Sequence, residues 1–215
     1  MKRKNIINPH FMGLKNVINS CIGSHMNGAD IISNMQDASY DKDGKRYVYP
    51  ENAQINLDVI KLDEITEYRK NLLTFSEKDN LFEQTPAVDA VCINKQNEWF
   101  FIEFKNSNVD SKFSSIKKKM LHSLWYVFFL YSKSGKDMTQ LFGGDFSKFA
   151  RENINYIIVG SYEKNKHHIT NIQAFESSGK HYTPRGYTQF KGYYFKDVYM
   201  LTELELGNFI TKFQA

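Results

Sequence analysis

Apolar residues follow two different periods along the chain. Residues 87–93 (Ala-Val-Asp-Ala-Val-Cys-Ile) and 98–105 (Glu-Trp-Phe-Phe-Ile-Glu-Phe-Lys) are dense in β-branched and aromatic side chains and predict two strands. Lys95-Gln96-Asn97 between them has turn composition, and Asn97 suits the left-handed position of a three-residue hairpin loop. After a polar connection, Phe113, Ile116, Met120, Leu124, Val127 and Tyr131 recur at helical spacing and predict a long helix over 112–133.

The remaining pattern is weaker. It predicts a short helix over 11–22, a hairpin over 38–49 turning at Asp43-Gly44, and a helix over 63–71. Residues 55–62 read equally as strand or helix. A short helix within 137–152 is interrupted by Gly143-Gly144. A buried strand over 155–162, a late strand over 194–202 and a closing helix over 203–213 complete the chain. With 215 residues and no internal repeat or Pro-rich linker, one α/β domain is expected: an extension over 1–53, a core over 54–162 and a final section over 163–215.

Two carboxylates interrupt the central strands, Asp89 in the first and Glu103 in the second, and Lys105 follows Glu103 by two places. Buried strand positions exclude charge unless something compensates it. With Lys95-Gln96-Asn97 as the loop, Asn94 faces Glu98, and counting inward sets Asp89 opposite Glu103. Alternation then puts Asp89, Glu103 and Lys105 on one face. Opposed residues have Cβ atoms about 4.5–5.5 Å apart, where two like charges repel. A hard divalent cation relieves that conflict, because it takes oxygen ligands. A two-residue loop would instead move the acids to opposite faces.

Acid-x-Lys triplets also occur at Asp43-Gly44-Lys45 and Asp110-Ser111-Lys112, both in polar, turn-like surroundings. Only Glu103-Phe104-Lys105 closes a strand. That strand shows Trp99 and Phe101 on one face and Phe100, Ile102 and Phe104 on the other, the pattern of a central strand.

An acid, a spacer and then Glu-x-Lys across a strand hairpin, followed by a helix, resembles the PD-(D/E)XK nuclease superfamily. The residues that carry the resemblance are Asp89, Glu103 and Lys105. It implies a restriction-endonuclease-like core in which a mixed central sheet is flanked by helices, and it covers about half of the chain. It implies Mg2+ (or Mn2+) held by Asp89, Glu103 and the backbone carbonyl of Phe104, with Lys105 orienting the attacking water. Pro86 and Asp89 are not adjacent, which departs from the family pattern. A further acid from the first helix, Glu64 or Glu67, is a candidate ligand. The implied reaction is phosphodiester hydrolysis on DNA, with RNA as a weaker option and a homodimer compatible with cutting both strands. The alternative from another class is a catalytically inactive protein of the same fold that binds nucleic acid or protein, in which Asp89, Glu103 and Lys105 form a buried ion-pair cluster.

Charge adds modestly to this picture. The net charge of +4 is compatible with a polyanion partner without requiring one. Lys117, Lys118 and Lys119, early in the long helix, are candidate phosphate contacts, or simply that helix's wet face. Aromatic and basic residues interleave over 180–196, a pattern that serves packing more often than base stacking. Cys21 and Cys92, the two cysteines, read as free thiols of a reducing cytoplasm. Neither a signal peptide nor a membrane span is expected. His167-His168, in a polar stretch, reads as a turn and not as a metal site. Patterns for serine hydrolases, zinc peptidases, dinucleotide folds and phosphate-binding loops are missing from the sequence.

Overall fold

The computed structural model describes residues 8–22, 31–42, 44–49, 57–65 and 86–214. In chain order the elements are α1 (Pro9–Ile22), β1 (Ile32–Asn34), α2 (Met35–Ala38), β2 (Tyr40–Asp41), β3 (Arg46–Tyr47), β4 (Asp58–Ile60) and α3 (Leu62–Ile65). Then come β5 (Ala90–Ile93), β6 (Trp99–Lys105), α4 (Phe113–Lys133), α5 (Met138–Phe142), α6 (Phe146–Asn153), β7 (Ile154–Gly160), α7 (Lys166–Ser177), β8 (Asp197–Thr202) and α8 (Glu203–Gln214). The strand order in the main sheet is β1-β4-β5-β6-β7-β8, and β2 and β3 form a separate hairpin. Pairing is antiparallel from β1 through β6 and parallel from β6 through β8, so the sheet is mixed. Among the described residues the fold is α/β, a mixed six-stranded sheet with flanking helices.

The hairpin joining β5 and β6 sets the register on which the site depends. Asn97 adopts φ of 61°, a left-handed conformation that asparagine tolerates better than most residues. The Asn94 side chain accepts hydrogen bonds from the amides of Gln96 (3.0 Å) and Glu98 (2.8 Å) and so closes the loop on itself. The Asn94 amide donates to the Glu98 carbonyl at 3.0 Å, and the pairs Ile93–Trp99, Cys92–Phe100, Val91–Phe101 and Ala90–Ile102 follow. The three-residue loop and the expected register are both present.

β6 is central and buried on both faces. On one face, Trp99 and Phe101 join Val91, Ile93, Tyr156 and Ile158 beneath α1 and α4. On the other, Phe100, Ile102 and Phe104 pack with Ile157, Val159, Leu206 and Ile210 of β7 and α8. Of the expected α4 stripe, Ile116, Met120, Leu124, Val127 and Tyr131 are buried, and Phe113 is partly buried against the same core. Ser123 is also fully buried on α4. Its hydroxyl accepts from the Val88 amide at 2.8 Å and donates to the Lys119 carbonyl at 2.6 Å. This bond fixes α4 against the residue that precedes Asp89.

Several expectations need adjusting. Within the ambiguous stretch 55–62, residues 58–60 form a strand and Leu62 opens α3, while 55 and 56 lie outside the described residues. The predicted helix over 63–71 is described only as α3, and its remainder, with Glu67, lies outside the described residues. The 137–152 region is two helices, separated at Gly143 with φ of 64°, a left-handed cap. Helix α7 was not expected from the sequence pattern. His167-His168 lies in its first turn, and Ile169 and Ile172, spaced three apart, anchor it to the core. The 180–196 segment contains a 3-10 turn (Arg185–Phe190), with Tyr187, Phe190 and Phe195 buried, and the late strand expected from 194 begins at Asp197. Among the described residues no helix is long and apolar enough to cross a membrane.

Candidate active site

The end of β6, the residue before β5 and the second turn of α4 bring four charges together. Glu103 is fully buried on the α4 face of the sheet. Lys105, two residues on and on the same face, contacts its carboxylate. Asp89 lies across the hairpin from Glu103, as the register requires. Its Oδ2 accepts the Phe104 amide at 2.7 Å, which extends the antiparallel pairing through a side chain. The Lys119 ammonium bridges the two acids: Nζ stands 2.7 Å from Asp89 Oδ1 and 2.9 Å from Glu103 Oε2. Two carboxylates and two ammonium groups therefore share one small volume. The Asp89, Lys105 and Lys119 side chains remain 15–17% exposed, so the cluster reaches solvent while its deepest member does not.

Burial and mutual charge tune these groups in opposite directions. Glu103 is pushed up from the usual carboxylate range, first by burial and then by the charge of Asp89, with Lys119 and Lys105 pulling it back. For Lys119, burial opposes the charged form. The carboxylates of Glu103 and Asp89 more than offset that and hold the ammonium firmly protonated. Lys119 therefore acts as a fixed positive charge and not as a proton acceptor. Asp63, on α3, is pushed up to about 6 by burial and by Asp89, with Lys119 in opposition. Among the described residues the buried hydroxyl of Tyr156 on β7 has no hydrogen-bond partner. Its pKa rises through burial and through the nearby charges of Glu103 and Asp89.

The sequence-predicted residues are thus partly gathered and partly dispersed. Asp89, Glu103 and Lys105 converge. For Phe104, the group that meets Asp89 is the amide N–H. Glu64 is occupied by Lys61, its neighbour three residues back. Its neighbour Asp63 is the α3 acid that senses the cluster's charge. Lys117 and Lys118 are exposed, the former 5.9 Å from the centre of the Phe190 ring. Lys119 separates from them. It lies one helical turn before Ser123, on the face that meets β5 and β6, so it belongs to the acid cluster and not to a basic surface. Its spacing of four from a serine on an apolar face was the available signal.

No family model, curated protein or solved structure matches the chain. What the site can do must follow from its own groups. The donor set fits a hard divalent cation. Asp89 Oδ1 and Glu103 Oε2 already converge on one positive charge, both are oxygens, and the charge of Asp89 adds to burial in raising Glu103.

Two outcomes follow from this arrangement. Lys119→Met leaves Glu103 buried with one cation fewer and lowers unfolding stability by about 3 kcal/mol or more, read by urea denaturation. Adding Glu103→Gln to Lys119→Met restores much of the loss, whereas additive losses would mean that the two are not coupled. The second concerns pH. Asp63 holds its proton up to about 6 in the folded chain but only to an ordinary 3.8 when unfolded. Between those values the folded state binds more protons, so stability falls as pH rises and levels off above the folded value. In Asp63→Asn this fall is smaller, and thermal denaturation across that range measures it.

Proposed function

We propose that the Asp89–Glu103–Lys105–Lys119 cluster is the catalytic centre of a divalent-cation-dependent phosphodiesterase of the PD-(D/E)XK type, acting on DNA. The observation that carries the proposal is the bridging ammonium. Two carboxylates on adjacent strands hold a single cation between them at 2.7 and 2.9 Å, beside a second lysine that contacts only one of them. The order of elements supports the same reading. The family resemblance implies a helix, three strands, a helix and a strand; α1, the antiparallel strands β4, β5 and β6, the long helix α4 and the parallel strand β7 occur in that order, with β1, β2, β3 and the short helices α2, α3, α5 and α6 inserted among them.

In this reading Asp89 and Glu103 hold the metal ion, with Asp63 close enough to add negative potential. Mg2+ or Mn2+, when bound, supplies Lewis-acid polarisation of a phosphate oxygen and offsets charge on the leaving oxygen. Lys105 positions the attacking water and stabilises the negative charge that gathers on the phosphate. The flexible stem of Lys119 lets its ammonium exchange the carboxylates for a phosphate oxygen. The Phe104 amide keeps the Asp89 carboxylate in its orientation throughout. Lys117 and Lys118 lie exposed on α4 before Lys119 and supply attraction along the nucleic-acid backbone. RNA is the alternative substrate of the same chemistry.

A second reading has an observation in its favour. Two ammonium groups already neutralise Asp89 and Glu103, so the cluster is electrically closed without a metal. A protein of this kind would use the charges as a structural lock and bind a nucleic acid or a protein without cutting anything.

The two separate in one set of measurements on the full chain. As a nuclease it degrades plasmid or single-stranded DNA only with Mg2+ or Mn2+ present, and Asp89→Asn, Glu103→Gln and Lys105→Ala each lower the rate about a hundredfold or more. Mn2+ also raises the melting temperature of the wild type and not of Asp89→Asn. Neither cleavage nor a metal-dependent shift is expected of the structural lock.

A further inference from the structure

A second group of metal-ligating side chains lies outside the carboxylate cluster. Asp110 sits in the 3-10 turn that leads into α4, and His167 and His168 lie in the first turn of α7. The Asp110 carboxylate faces both rings: Oδ2 is 2.9 Å from His167 Nε2 and 3.2 Å from His168 Nε2. One donor atom from each of the three residues falls within 4.8 Å of those of the other two. Adjacent residues on a strand would point apart, but on a helix they are separated by about 100°, which leaves two neighbouring imidazoles free to aim at one point. Their ring centres are 4.1 Å apart.

We propose that Asp110, His167 and His168 form a binding site for a first-row transition-metal dication, of which zinc is the best fit. The donor set is two imidazole nitrogens and one carboxylate oxygen, which suits zinc and disfavours the hard Mg2+ ion expected between Asp89 and Glu103. The spacing suits it too. Tetrahedral zinc with ligands at about 2.0–2.2 Å sets its donors about 3.3–3.5 Å apart. The observed separations from Asp110 Oδ2 reach that with movements of a few tenths of an ångström.

The surroundings are those of a held site and not of a chance surface contact. His168 is buried, its side chain 8% exposed. Its Nδ1 lies 3.0 Å from the Tyr182 hydroxyl. A proton on Nδ1, shared with Tyr182, leaves the Nε2 lone pair directed at Asp110 and at the ion, the outer-partner arrangement that orients metal-ligating histidines. The two elements that carry the ligands are joined by Asn165, which is fully buried. Its Oδ1 accepts the Val109 amide at 2.9 Å, and its Nδ2 donates to the carbonyls of Ser107 (3.1 Å) and Ser161 (2.8 Å). One side chain thus fixes the Asp110 turn against the start of α7 before any ion arrives. Asp110 and His167 are about half-exposed, which gives the ion a route in and leaves a fourth position for water or another ligand. Bound there, zinc ties α7 to the turn from which α4, the carrier of Lys119, begins.

The test uses the full chain, freed of metal with a chelator and titrated with Co2+ by visible absorption, then with Zn2+ in competition. One saturable visible band of nitrogen-ligated Co2+ is expected, with Zn2+ abolishing it. Asp110→Ala and His167→Ala, both at half-exposed positions, each weaken binding about tenfold or more. Asp89→Asn leaves it unchanged, which separates this site from the carboxylate cluster. Wild-type protein without saturable binding overturns the proposal. So does undiminished affinity in both Asp110→Ala and His167→Ala, or binding that is lost in Asp89→Asn and kept in Asp110→Ala.

Discussion

A fully buried carboxylate on a central strand is the constraint around which this structure is arranged. Glu103 has no water to solvate it, so its charge survives only beside Lys119 and Lys105. Lys119 reaches it because α4 crosses the same face of the sheet, and α4 is held there by the Ser123–Val88 hydrogen bond as well as by its apolar stripe. Asp89 shares the same ammonium and is steadied by the Phe104 amide. Moving any one of these elements by a residue would leave an unpaired charge in the core. Packing and electrostatics therefore select the same register.

Much of this was legible in the sequence, for identifiable reasons. The β5–β6 pairing followed from a loop whose length and Asn97 conformation were chemically specified, and from a strand apolar on both faces. Once the register was known, the parity of Asp89, Glu103 and Lys105 was arithmetic. Lys119 was harder to place, because three consecutive lysines look alike until the helix is docked; only the pairing of its position with buried Ser123 distinguishes it. Asp63 was hidden by its neighbour Glu64, which has the same chemistry but turns to Lys61. The convergence of Asp110 with His167 and His168 could not be read locally. It joins residues more than fifty positions apart through Asn165, and α7, in which the histidines lie, has just two strongly buried apolar anchors in an otherwise polar stretch.

The two sites differ in the way their chemistry demands. The carboxylate cluster is deep and built on adjacent strands, and there the charge of Asp89 adds to burial in raising both Asp63 and Glu103. The histidine cluster lies nearer the surface, on a helix start and a turn, with nitrogen donors that suit a softer ion. Both are attached to α4, one at its beginning and one in its second turn. That shared helix is the physical link through which occupancy of one site would bear on the geometry of the other.

On the proposed function, the position between Asp89 and Glu103 belongs by chemistry to a divalent cation, with the Lys119 ammonium as its stand-in. A crystal structure of the protein grown with Mn2+, analysed for anomalous scattering, tests it directly. A peak is expected within coordination distance of Asp89 and Glu103, with Lys119 turned away from them. An ammonium still bridging both carboxylates at saturating Mn2+, with no peak beside them, would contradict it.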